Sequence, residues 1–188
     1  TLTATGVNTA KLDQLERFVK RFPLDGVYMT ADDLHTQLDK IAQTGGSYTP
    51  LQQGAAAALA CGGFTFLLGG EPIEMLLAFL GAGVGQYVRA RLTRRKLTLF
   101  GCTAVSVAAA CLVYALLFRL ASLLFPIDPQ HQAGYICAML FIIPGFPFIT
   151  SGIDMSKQDM RSGLERLAYA VMIVVVATLT AWLMALLL

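Results

Sequence analysis

The residues of this sequence that could do chemistry are concentrated between positions 144 and 166. Pro144-Gly145-Phe146-Pro147 interrupts an apolar run at 133–153 that is long enough to cross a bilayer. Helices broken at membrane depth usually line a cavity or hold something. Pro144 and Pro147 lack N–H donors, and each disturbs the carbonyl one turn earlier. A helix restarting near Phe148 would aim free N–H groups and its positive dipole end at the middle of the membrane, a place suited to a carboxylate. Thr150 and Ser151 can add hydroxyl donors in the first turn. Asp154 follows at the mouth, where it can take a proton or an ammonium group. Pro144, Gly145, Pro147, Thr150, Ser151 and Asp154 are therefore the candidate substrate-binding set. Asp159, Gly163 and Arg166 fall on one stripe of the next helix and, with Arg119, form a candidate coupling and gating set. Plainer readings stand beside these: a kink that serves packing, and charges that solvate a loop.

Other chemistries find no support. A hydrolase needs a nucleophile and a base side by side. Ser151 and Asp154 have no His partner, because His35 and His131 are far apart and fall on opposite sides of the expected membrane. Cys61, Cys102, Cys111 and Cys137 lie inside apolar runs, without the paired spacing of a metal site, and are expected to be small buried side chains. No catalytic residue, metal or cofactor is expected.

These candidates must be positioned by membrane helices. Of 188 residues, 56% are hydrophobic and only 14% charged, and the mean hydropathy is +0.63, too apolar for an ordinary soluble domain. The expected class is an all-α polytopic membrane protein with five transmembrane helices, the fourth broken at 144–147, preceded by a short cytoplasmic helical region at 1–49. The chain opens Thr1-Leu2-Thr3, where no signal peptide is expected, and the region 1–49 is expected to be the end of a larger amino-terminal region.

In that region Asn8 or Thr9 can cap a helix carrying Leu12, Leu15, Phe18, Val19 and Phe22 on one face, with 23–26 ending it. Thr30 and Asp33 form a capping-box variant before Leu34, Leu38 and Ile41. The two stripes suit either a gate or docking surface, or a pair that covers its own apolar faces. The membrane domain, 50–188, is expected to hold helices at about 54–70, 73–88, 97–125, 133–153 and 164–188. Thr49-Pro50 opens the first. Gly54, Ala58 and Gly62 there, and the Gly81/Gly85 pair on the second, suggest a tightly packed hairpin. Ser156 to Asp159 reads as the capping box of the fifth helix.

Arg89, Arg91, Arg94, Arg95 and Lys96 read as a cytoplasmic loop rather than a nucleic-acid patch. This puts the amino terminus inside, the loops at 70–72 and 126–132 outside and the carboxyl terminus outside. Every Lys and Arg except Arg119 then lies on the cytoplasmic side. Arg119 falls near the outer surface, as a snorkelling anchor or as an outer-gate cation for an anionic substrate. Five spans also suit half of an inverted-repeat transporter.

The order Pro144-Gly145, Asp154, Asp159, Ser162-Gly163, Arg166-Leu167, with Ile41, Tyr48 and Phe64-Thr65-Phe66-Leu67-Leu68-Gly69-Gly70 upstream, resembles the threonine/serine exporter (ThrE) family, particularly its split, YjjP-like form. The resemblance covers nearly the whole chain. It implies an exporter in a bacterial inner membrane that moves small carboxylate-bearing metabolites, such as threonine and serine or, in the split form, succinate. It also implies a smaller membrane subunit as partner and candidate roles for Pro144, Gly145, Asp154, Asp159, Gly163 and Arg166. A non-transporting membrane scaffold is the competing expectation, and a higher oligomer is compatible with either.

Overall fold

A computed structural model of the chain describes residues 8–44, 48–95, 97–124 and 133–188; Lys96, His131 and the expected outer loop at 126–132 lie outside them. All regular structure among the described residues is helical, and the chain divides into two compact units, Thr1–Thr49 and Pro50–Leu188.

The first unit holds α1 (Thr9–Asp25) and α2 (Ala31–Gln43). Asn8 caps α1, its Oδ1 accepting from the N–H groups of Ala10 and Lys11 at 3.1 and 3.2 Å. The helix runs through Pro23 and stops at Asp25. Thr30 and Asp33 cap α2 reciprocally: the Asp33 N–H donates to Thr30 Oγ1 at 3.3 Å, and the Thr30 N–H to Asp33 Oδ2 at 3.2 Å. The two helices do not bury their stripes against each other, since Leu12, Val19, Phe22 and Leu38 stay exposed.

In the second unit α3 (Pro50–Leu67) and α4 (Pro72–Arg94) form a hairpin that turns through Gly69, whose φ of 80° is costly for any other residue. Their contact uses Gly54, Ala58 and Gly62 of α3, as the spacing predicts, but the facing glycine is Gly83: a methyl on Gly54 would lie 3.0 Å from the Gly83 carbonyl oxygen. The Gly81/Gly85 pair looks the other way. Gly81 meets the Ala110 backbone of α5 (Leu99–Leu124), and Gly85 meets Ala110 and the Phe141 ring. The pair therefore does not make the hairpin; it lets α4 press against α5 and against the break described below.

The expected loop at 89–96 is also corrected. Arg89, Arg91 and Arg94 belong to the last turns of α4, where arginine is a good helix former and favours the negative end of the dipole.

The fourth expected helix is interrupted earlier than its prolines suggest. A short α6 (Ala133–Ala138) gives way to a 3-10 turn at Leu140–Ile142, Ile143 is extended, and α7 (Gly145–Ser156) begins directly after Pro144. A residue before proline is pushed out of the α region, which accounts for Ile143. Pro147 sits within the first turn of α7, where its missing N–H costs nothing, so it does not break the helix. The two halves meet at 64°.

A tight turn at 157–159, with Gln158 at φ 65°, leads into α8 (Met160–Leu187). Asp159 caps this helix, and Ser156 is the last residue of α7 with its hydroxyl donating to the Gly152 carbonyl at 2.8 Å; the expected Ser156 cap is thus replaced by Asp159.

α5 and α8 are long and apolar enough to cross a membrane, and the bent α6–α7 pair makes a third span if counted as one. The core has two clusters. One is Val107 and Cys111 with Ile142, Ile173 and Ala177; the other is Leu77, Ala78 and Tyr114 with Cys137 and Ala138. All four cysteines are buried and unbridged, as expected. Outward faces of α5 and α8, such as Leu116, Leu120, Leu179 and Leu183, are exposed and apolar, a surface that lipid can cover and water cannot.

Candidate functional site

The break is built by elements that the sequence does not bring together. Gly85 leaves room for the Phe141 ring, and one turn further along α4 Arg89 Nη1 donates to the Phe141 carbonyl at 3.4 Å. Interrupting a helix leaves carbonyls without their usual partners, and this guanidinium serves one of them. Sequence reasoning assigned Arg89 to a topogenic loop and missed it; its position one turn beyond the Gly81/Gly85 face is the signal that could have found it.

At 3.4 Å the bond is long, so we expect Arg89→Met to cost about 1 kcal/mol, the low end for a carbonyl left unserved. Thermal unfolding in detergent would read this loss. Arg95→Met, which removes a cation from an exposed position just past α4, should leave the midpoint nearly unchanged.

Pro144 is buried and caps α7, which restarts at Gly145 rather than near Phe148. Few of the expected donors remain there. Pro144 and Pro147 have no N–H, the Gly145 N–H donates to the Ile143 carbonyl at 2.9 Å, and the Phe148 N–H to the Pro144 carbonyl at 3.2 Å. The Phe146 N–H is what is left of the set. The Thr150 hydroxyl donates to the Phe146 carbonyl and the Ser151 hydroxyl to the Phe148 carbonyl, both at 2.9 Å. With their protons committed to the helix, they offer lone pairs rather than donors. A methyl on Gly145 would meet nothing within 4 Å, so the start of α7 is open on that side.

Asp154 lies nine residues beyond Gly145, about 14 Å along α7. No metabolite of four or five carbons reaches from one to the other, so the six candidate binding residues fall at two candidate stations, one towards each end of α7, rather than in one pocket. At the second station Arg166 Nη1 of α8 lies 3.1 Å from Asp154 Oδ2, an ion pair whose N–H groups do not point squarely at the oxygen. The sequence named both residues but not the pairing.

Gly163 permits this approach: a methyl there would lie 2.7 Å from Met155 Cγ and 3.1 Å from the Ser151 carbonyl oxygen. Asp159 is fully exposed at the cap of α8. Hydrogen bonds from Ser162, hydroxyl first and backbone N–H second, hold its carboxyl below the ordinary 3.8. The cap is therefore fully formed above that pH and weakens as the pH falls through the lowered value. The Arg161–Glu165 pair forms at 3.3 Å, exposed. Arg119 is exposed near the end of α5, on a different element from both stations.

No curated protein and no solved structure matches the chain. The model of one family, described as "putative threonine/serine exporter", matches residues 1–188. The chain belongs to the ThrE family of membrane proteins.

Proposed function

We propose that the chain is one subunit of a secondary transporter in a bacterial inner membrane, exporting small carboxylate-bearing metabolites by alternating access together with a smaller membrane subunit. The substrates are threonine and serine, or a dicarboxylate such as succinate. The observation that carries this reading is the break: a span-length apolar segment bent by 64° within a chain of an exporter family. The break offers the substrate carboxylate the open start of α7, while Asp154 and Arg166 form a second station that the substrate passes. Asp159 and Gly163 set the hinge between α7 and α8, and Arg119 draws anions at the outer end of α5.

In this reading α3 and α4 complete five crossings, with the amino terminus in the cytoplasm and the carboxyl terminus in the periplasm. Their hydropathy is lowered by Gln52, Gln53, Glu74, Gln86 and the arginines of α4, and by glycines that serve close helix contact. At 18 and 23 residues they are about 27 and 35 Å long, enough for a bilayer core. The scaffold alternative loses ground because Gly81 and Gly85, the face it would use to gather partners, are occupied within the chain.

The test is counterflow of labelled threonine and labelled succinate in vesicles, with and without the co-expressed smaller subunit. Pro144→Ala returns an N–H and frees Ile143 to become helical, and flux is expected to fall to background. Gly152→Ala, where a methyl meets nothing within 4 Å, should transport normally. Full flux in Pro144→Ala would overturn the assignment of the break.

A further inference from the structure

A carboxylate brought to the break needs more than the end of a helix. Of the backbone donors expected at the start of α7, the Phe146 N–H is what is left, and one neutral N–H does not offset a charge taken to membrane depth. A full cation has to answer it. The other described cations of the membrane unit are spent elsewhere or lie on the surface. Arg166 is held by Asp154 at 3.1 Å. Arg91 lies over the Tyr87 ring and donates to its hydroxyl oxygen at 3.1 Å. Arg94 and Arg95 are exposed at the end of α4, Lys157 and Arg161 flank the α7–α8 turn, and Arg119 is exposed near the end of α5.

Among the described residues, Arg89 is the cation that touches the break. It is half-buried, with its Nη1 on the Phe141 carbonyl, and Cys102 of α5 and Tyr169 of α8 lie beside it. No carboxylate pairs with it among the described residues. A guanidinium presents a planar fork of N–H donors, and the chain engages one of its nitrogens, at 3.4 Å. One turn back on the same face, Gln86 Oε1 is buried without a partner. This corner of α4 therefore carries polar capacity, and a whole positive charge, that the chain itself does not use.

The contact that Arg89 does make is easily exchanged. A neutral carbonyl at 3.4 Å lies beyond the usual N–H···O range. A carboxylate meets a guanidinium through two parallel bonds, each shorter and about twice as strong as a neutral one. We propose that Arg89 binds the substrate carboxylate at the break, and that it does so by releasing the Phe141 carbonyl. That the carboxylate belongs to an exported substrate rests on the exporter reading; that Arg89 takes a carboxylate does not. With Arg89 withdrawn, the turn at Leu140–Ile142 keeps the Ile142 N–H on the Met139 carbonyl at 3.2 Å and the Ile143 N–H on the Leu140 carbonyl at 3.1 Å. Filling the site thus removes the one side-chain bond that ties this turn to α4.

Equilibrium binding to the full chain in nanodiscs, with and without the co-expressed smaller subunit, tests the site. The probes are threonine and succinate, each against its amide, threoninamide or succinamide, which lacks the anionic group. Wild type should bind at least one acid about tenfold or more tighter than its amide, as hydrogen bonds to a charge imply. In Arg89→Gln that ratio should fall close to unity while the amide binds as before. Arg89→Lys keeps the charge without the fork, so its ratio should lie between the two. It also carries the test if Arg89→Gln does not fold. An arginine that only supports the turn would weaken acid and amide alike and leave the ratio intact, which overturns the proposal. A wild-type ratio near unity, or no binding of either acid, overturns it as well.

Counterflow separates this proposal from the reading it deepens. Wild type that binds acids through Arg89 yet moves neither counts against the exporter reading and leaves the site standing. Wild-type flux that Arg89→Gln leaves unchanged overturns the role of Arg89 and leaves the exporter reading standing.

Discussion

A leucine at Gly85 is expected to destabilise the membrane unit strongly. A bare methyl there would already lie 2.6 Å from Phe141 Cζ and 2.8 Å from Ala110 Cβ, closer than carbon atoms approach, and leucine adds three further carbons. Overpacking a filled core costs about 1–3 kcal/mol where neighbours can shift, and more where they cannot. Here they cannot easily shift, because Ala110 lies on a 26-residue helix and Phe141 belongs to the turn whose carbonyl Arg89 holds. We therefore expect a loss at or above about 3 kcal/mol, read as a large drop in unfolding midpoint in detergent. Gly63→Leu should leave the midpoint close to wild type, since a methyl on Gly63 meets nothing within 4 Å. The α3–α4 hairpin should survive in Gly85→Leu, since its own contact runs through Gly54, Ala58, Gly62 and Gly83. If Gly85→Leu unfolds like wild type, α4 does not back the break.

Much of this architecture was legible in the sequence because caps and prolines act locally. Asn8, Thr30 with Asp33, and Pro50 all begin helices where their chemistry says they should. The break was legible as an event but not in place, because the prolines mark where α7 starts, whereas the end of α6 at Ala138 depends on what Phe141 and Ile142 pack against. Which glycines faced which helix was not legible: α4 carries Gly81 and Gly85 on one face and Gly83 on another, and the motif is the same for either partner.

Glu74 was hidden for a different reason. A glutamate three residues into a helix is ordinarily an exposed capping group, and Glu74, third in α4, is 0% exposed because Gly134 of α6 and Gly70 of the α3–α4 turn close on it. The arginines at 89–95 read as a loop because charge runs usually are loops. That one of them turns inward to a carbonyl is a tertiary fact.

Reversing the charges of Asp154 and Arg166 should show whether the second station works as a pair. Asp154 is 21% exposed and Arg166 52% exposed, so the pair contributes only on the order of 1 kcal/mol to stability, and its removal alone would be a weak test. Reversal is stronger. Asp154→Arg would set two guanidinium groups against each other where 3.1 Å now separates opposite charges, and Arg166→Asp would do the same with two carboxylates. Reversing one charge turns the attraction at this half-exposed site into repulsion, and Gly163 keeps the α7 and α8 backbones close beside it. Each single reversal is therefore expected to reduce counterflow by about tenfold or more, with a lowered unfolding midpoint, as a coupling of at least about 1.4 kcal/mol implies. The double reversal restores opposite charges, and it should recover most of the midpoint. Whether flux follows the midpoint separates two roles. If the pair only joins α7 to α8, flux returns with stability. If an amino-acid substrate meets Asp154 through its ammonium group, stability returns while flux stays low, because the charge that the substrate would meet first has changed sign. A double variant no more stable than either single would mean that the two residues do not interact, and the second station would fall with them.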